Sequence, residues 1–155
     1  MKTTIALLAT ILAVGTLHAQ DGGTFRAEEL NISVFGGWVD KDDAKFAPGA
    51  GVSYYFTENL GAGAFTHWEN YDGKFIDNVS AEGYFRWPIP DMPLAPYGLV
   101  GVGYSFETEE CFGMFGGGAE WRLNDGLGIF GDIRYQINDD TDDGVGFRLG
   151  VRFVF

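Results

Sequence analysis

Apolar residues alternate with small or polar ones along eight stretches of this chain: Leu30–Trp38, Phe46–Phe56, Leu60–Trp68, Val79–Trp87, Tyr97–Phe106, Phe112–Leu123, Gly126–Ile137 and Val145–Phe155. A period of two puts successive side chains on opposite sides of an extended backbone, so each stretch predicts a strand between two different environments. In the second, Phe46, Pro48, Ala50, Val52, Tyr54 and Phe56 share a face against Ala47, Gly49, Gly51, Ser53 and Tyr55. In the fifth, Val100, Val102, Tyr104 and Phe106 oppose Gly101, Gly103 and Ser105. In the seventh, Leu127, Ile129, Ile133, Tyr135 and Ile137 oppose Gly128, Phe130, Asp132, Arg134 and Gln136. The fold class expected is all-β. A soluble sandwich would show the same period, so other features must decide which face is the core.

Charged residues supply the first. Carried through the chain, the same phase puts Glu82 and Arg86, Glu120 and Arg122, Asp132 and Arg134, and Arg148 and Arg152 on the face opposite the aliphatic residues. Each stretch has roughly the 9–11 residues that a tilted strand needs to cross a bilayer. An Arg at the bilayer midplane facing lipid costs ~2–4 kcal/mol, so these residues are expected inside and the aliphatic face outside. Enclosed, they can form a structural salt-bridge lattice, for which the planar, permanently charged fork of arginine is suited. The sharper alternative is a gate whose rearrangement opens an ion path.

The connections alternate in character. Val39–Lys45, Glu69–Gly73, Glu107–Cys111 and Asn138–Gly144 hold more than half of the 22 acidic residues, whereas Thr57-Glu58-Asn59 and Asn124-Asp125 are tight and Pro88–Pro96 is proline-rich. An up-and-down meander sends alternate connections to opposite ends of a barrel. The expectation is therefore an eight-stranded antiparallel up-and-down transmembrane β-barrel, with short turns toward the periplasm and the acidic connections outward. Aromatic girdles are expected at both rims: Trp38, Phe46, Trp68, Phe106 and Tyr135 at the outer one, and Tyr54, Phe56, Phe85, Trp87, Tyr97, Trp121, Phe153 and Phe155 at the inner.

The beginning of the chain suggests export. Met1-Lys2-Thr3-Thr4 is a short basic start, Ile5 to Val14 is apolar, and small residues follow to Ala19, the pattern of a secretory signal peptide spanning 1–19. Residues 20–155 are then one barrel domain. Cys111 is the single cysteine, so no intrachain disulfide is possible. A net charge of −12 argues against nucleic acid as a partner.

An eight-stranded barrel has an interior just wide enough for side chains. Inward glycines (Gly49, Gly51, Gly61, Gly63, Gly101, Gly103, Gly116, Gly118, Gly146, Gly150) free volume that Phe35, Tyr55, Phe65, Tyr84 and Phe130 refill, which leaves at most a narrow ion path. No catalytic, cofactor or metal site is expected. His67 falls inward by phase and is followed by Trp68 and Glu69, without the neighbouring nucleophile that catalysis requires. The run Asn138–Gly144 fails the EF-hand spacing, with Thr141 at the third liganding position and Gly150 where the closing Glu belongs. It reads as a solvated acidic loop, with weak bridging of divalent cations to lipopolysaccharide as the alternative. Gly36-Gly37 and Gly116-Gly117-Gly118 lack the Lys-Ser/Thr ending of a phosphate loop.

The final strand carries a resemblance. Arg148, Gly150, Phe153 and Phe155 fill the places of the bacterial β-signal (polar residue, Gly, aromatic, terminal aromatic), and the chain as a whole resembles the small OmpA/OmpX-type outer-membrane barrels. The resemblance implies the outer membrane as location, outer-membrane lipid and lipopolysaccharide as surroundings, and the barrel-assembly machinery as a partner in biogenesis; the sequence carries no firm sign of oligomerisation, and a monomer is expected. The resemblance also implies a structural or surface role. The rivals are a lipid A-modifying barrel enzyme and a soluble lipocalin-like exported binder, whose apolar side chains would point inward.

Overall fold

A period-two pattern with one polar and one apolar face can satisfy every backbone group in a membrane only if the sheet closes on itself. The computed structural model, which describes residues 24–40, 45–68, 76–106, 108–138 and 143–155, is such a closed barrel. Its strands are β1 (Glu29–Asp40), β2 (Lys45–Tyr55), β3 (Leu60–His67), β4 (Asn78–Arg86), β5 (Leu94–Ser105), β6 (Glu110–Asn124), β7 (Leu127–Asn138) and β8 (Gly144–Val154). Each pairs antiparallel with its sequence neighbours, and β8 returns to β1 through Asn31↔Val154 to Asp40↔Val145. No helix occurs among the described residues. The expected signal peptide, residues 1–19, lies outside them.

The expected strands are all present, with shifted ends. β5 begins at Leu94 rather than Tyr97, because Leu94–Pro96 pair with Ala119–Trp121 and the Pro96 carbonyl accepts from Trp87 N–H at 2.8 Å. A proline near a strand start costs little when its carbonyl still bonds. β6 is longer at both ends, and an irregularity between Arg122 and Asn124 shifts its register on β7 by one residue.

The faces are inverted relative to a soluble protein. Val102 is 66% exposed and Ile133 60%, whereas Arg152 is 0% exposed. Of the residues assigned to the girdles, Trp38, Phe46, Phe106, Tyr54, Phe56, Phe85, Trp87, Trp121, Tyr135 and Phe153 face outward. Tyr97 does not. At 3% exposure it points into the lumen and donates its hydroxyl to Asp132 Oδ2 at 2.8 Å. Odd-numbered residues of β5 face inward, and that parity overrides the tendency of aromatic residues near strand ends to face lipid.

Small residues let the wall approach the contents closely. A Cβ at Gly150 would stand 2.5 Å from the Val34 carbonyl oxygen and 2.8 Å from the Phe130 ring, so only glycine fits there without a shift. Gly51 is likewise covered by the Phe65 ring.

Candidate functional site: the charged lumen

All eight charged residues singled out by phase lie inside the barrel, at 8% exposure or less, and they fall into two clusters. Toward the acidic end, Glu82 on β4 and Asp132 on β7 meet Arg134 and Arg148. Arg134 Nη1 donates to Glu82 Oε1 at 2.9 Å and its Nη2 to Asp132 Oδ1 at 3.2 Å. Arg148 Nη2 reaches Asp132 Oδ2 at 2.9 Å and Glu82 Oε2 at 3.3 Å. Two carboxylates and two guanidinium groups thus share one square. Around it, Ser80 donates to Glu82 at 3.0 Å, Tyr84 donates to Glu82, and Tyr97 to Asp132. Buried charges are tolerated when paired and saturated in this way.

The second cluster lies toward the end where the chain termini emerge. Glu120 on β6 accepts from Arg122 Nε and Arg152 Nη1. Arg122 Nη2 continues to Glu29 Oε1 at 2.5 Å, and Arg86 Nη1 reaches the same oxygen at 2.9 Å. Phe130 separates the clusters, its ring 5.8 Å from Arg148 and 4.7 Å from Arg152. Phe35, Tyr55, Phe65, Tyr84, Tyr97 and Phe130 belong to one cluster of buried side chains in the lumen.

Several members were not singled out by the sequence reading. Glu29 falls one residue before the first apolar stretch at Leu30, yet it shares the parity of Asn31 and Ser33 and could have been found by extending the phase. Phe25 carries no periodic signal. It is 5% exposed and stacks beneath Arg86 and Arg122, with their guanidinium carbons 5.0 and 4.9 Å from its ring. The Arg26 carbonyl accepts from Arg86 Nη2 at 2.9 Å. Phe25 and the backbone of Arg26 therefore cover the second cluster.

His67 lines a cavity of about 20 Å³ with Phe35, Ala47, Met114 and Arg134, on the inner wall. Ser105 is two strands away, with Asn78 at the register position between them. Among the described residues no group of three or more His, Cys, Asp or Glu could hold a metal ion. Most of the acidic run Asn138–Gly144 lies outside the described residues. Asp143, within them, accepts from the Tyr135 hydroxyl at 2.8 Å. Cys111 is a free thiol on the outer face. Of the strand-eight residues, Arg148 belongs to the first cluster, Phe153 faces outward, and Phe155 exchanges backbone hydrogen bonds with Leu30 at 2.9 and 3.2 Å.

Comparison with known proteins gives a consistent picture. The sequence profile described as "Outer membrane protein beta-barrel domain" matches residues 4–155. The N-terminal β-barrel domain of Pseudomonas aeruginosa OprF superimposes with a TM-score of 0.69 at 14% identity, over 84% of this chain and 99% of that one. A de novo designed transmembrane β-barrel gives 0.66 at 17% identity, covering 84% and 98%. Neisserial surface protein A gives 0.60 at 13% identity, covering 86% and 99%. No curated protein sequence matches. At such identities the structural likeness speaks for the fold alone.

Proposed function

Because this chain belongs to the outer-membrane protein β-barrel domain family, we propose that it is a structural or surface barrel of the outer membrane without enzymatic activity. Its lumen is filled and braced by charge, and passes at most a narrow stream of ions. The observation that carries this reading is the pairing of a predominantly apolar outer wall with an interior of interlocked arginines and carboxylates. The soluble-binder alternative requires these faces to trade places, and they do not. The orientation that goes with the reading puts the short turns and termini in the periplasm and the acidic connections outside.

A lipid A-modifying activity is disfavoured by the placement of His67. A lipid substrate would reach the barrel from its outer wall, whereas His67 lines the inner one. Lipid and lipopolysaccharide are, on this reading, surroundings rather than substrates, and the barrel functions as a monomer. Arg148, Gly150, Phe153 and Phe155 are proposed as the signal read by the barrel-assembly machinery.

Fractionation of cells with heat-modifiable electrophoresis tests the location and fold together: the protein should remain with outer membranes and migrate differently before and after boiling. Recovery in the soluble periplasm would overturn the reading. Replacing His67 with Ala should leave lipid A acylation unchanged. A shift in the acyl pattern would reinstate the enzyme.

A further inference from the structure

At the terminal end of the lumen the charges do not balance. Among the described residues, Glu29 and Glu120 are the carboxylates of this cluster, set against Arg86, Arg122 and Arg152, all with side chains at 0–1% exposure. Arginine stays charged at any ordinary pH, so one positive charge is in excess within a wall that faces hydrocarbon. An uncompensated ion there is costly. The cluster around Glu82 and Asp132 is balanced two against two, and the remaining buried carboxylate among the described residues, Asp77, lies before β4 at the opposite, acidic end of the barrel.

Hydrogen bonding is incomplete at the same place. Each nitrogen of Arg86 has an acceptor, Glu29 at 2.9 Å and the carbonyls of Glu58 and Arg26 at 2.6 and 2.9 Å. Arg122 Nη1 and Arg152 Nη2, by contrast, are buried without an acceptor among the described residues, and the hydroxyls of Ser53 and Tyr55 and the side-chain carbonyl of Asn31 are likewise without partners. Glu120 bridges Arg122 and Arg152, so both spare donors belong to guanidinium groups that flank one carboxylate. Tyr55 lies 3.7 Å beneath the Arg86 guanidinium carbon and within electrostatic reach of Arg152 and Glu120. Ser53 is two residues along the same strand and buried on the same face. A water molecule could satisfy these donors but would leave the charge.

We infer that the terminal half of the lumen binds a small monovalent anion of halide size at Arg122 and Arg152, with the Tyr55 and Ser53 hydroxyls as further donors. Phe25 and the backbone of Arg26 lie over the cluster and enclose the ion. The site is a property of the barrel interior and does not depend on the role proposed for the whole protein.

Two measurements decide it. The full-length protein, crystallised in sodium bromide, should give an anomalous peak within hydrogen-bond distance of Arg122 Nη1 or Arg152 Nη2. An ordered water there without anomalous signal overturns the inference. In detergent, the melting midpoint should be higher in sodium bromide than in sodium gluconate at equal ionic strength, because a ligand of the folded state stabilises it by mass action. Arg152→Gln removes the excess charge and should abolish the difference, while Arg152→Lys keeps the charge and should retain it. Equal midpoints for the wild-type protein in the two salts, or a halide effect unchanged in Arg152→Gln, would overturn it. Should Arg152→Gln fail to fold, the bromide crystal still decides.

Discussion

Glu82 concentrates the consequences of burial in a single side chain. It receives Arg134, Arg148, Ser80 and Tyr84, so truncation leaves Asp132 alone to balance two buried guanidinium groups. Glu82→Ala should cost ~3–5 kcal/mol, the usual result of removing one partner of a buried pair, read as a lower urea midpoint of the barrel refolded into lipid vesicles. Gly150 presents a different constraint. Its lack of a Cβ is required by the Val34 carbonyl, independently of any recognition by assembly machinery. Gly150→Ala should therefore lower stability by ~1–3 kcal/mol, as overpacking does, even in pure lipid where no machinery is present. Phe155→Ala separates the two roles: it should reduce assembled protein in cells while leaving stability in vesicles close to wild type. A large loss in vesicles would mean that Phe155 acts through packing.

At the scale of the strand, parity is the property that the sequence makes legible, and it holds where end effects mislead. Tyr97, an aromatic residue at the start of its segment, is expected in a girdle by position, although its odd number on β5 puts it with Gly101 and Gly103. Glu29 escapes the pattern because it precedes Leu30, the first apolar residue of its segment. In both cases the period carries the physics and the boundary does not, since strand ends depend on pairing with neighbours such as Ala119–Trp121. The partners inside the lumen are less accessible still. Arg122 meets Glu29 across 93 residues, a contact set by the register of every strand between them, which no local pattern encodes. The outward face offers a clean test of the period. Val102→Arg puts a charge into the hydrocarbon at a cost of ~2–4 kcal/mol near the midplane and should sharply reduce the heat-modifiable form. Gly113→Ala is the proper control, because an added Cβ there meets nothing within 4 Å. Gly103→Ser, though inward, is not neutral: its Cβ would collide with the Phe112 ring and approach the Val79 carbonyl at 2.8 Å.

For the whole molecule, a filled lumen predicts poor transport. Planar-bilayer recording should show small, intermittent conductance, and liposomes containing the protein should not swell in isotonic sugar. Phe25 covers the terminal cluster through its stacking on Arg86 and Arg122. Phe25→Ala should raise the frequency of openings and leave sugar exclusion intact, since Phe130 and the rest of the buried aromatic cluster stay in the lumen. An unchanged record would place the resistance wholly within that cluster.

The seam between β1 and β8 has a consequence for how the protein comes into being. Asn31 cannot find Val154 until nearly the entire polypeptide has been delivered, so every shorter nascent form presents two bare edges of unmet amide and carbonyl groups. Such a sheet can neither enter hydrocarbon nor rest safely in water. The last strand to arrive is thus the latch, since only its pairing with β1 removes both bare edges.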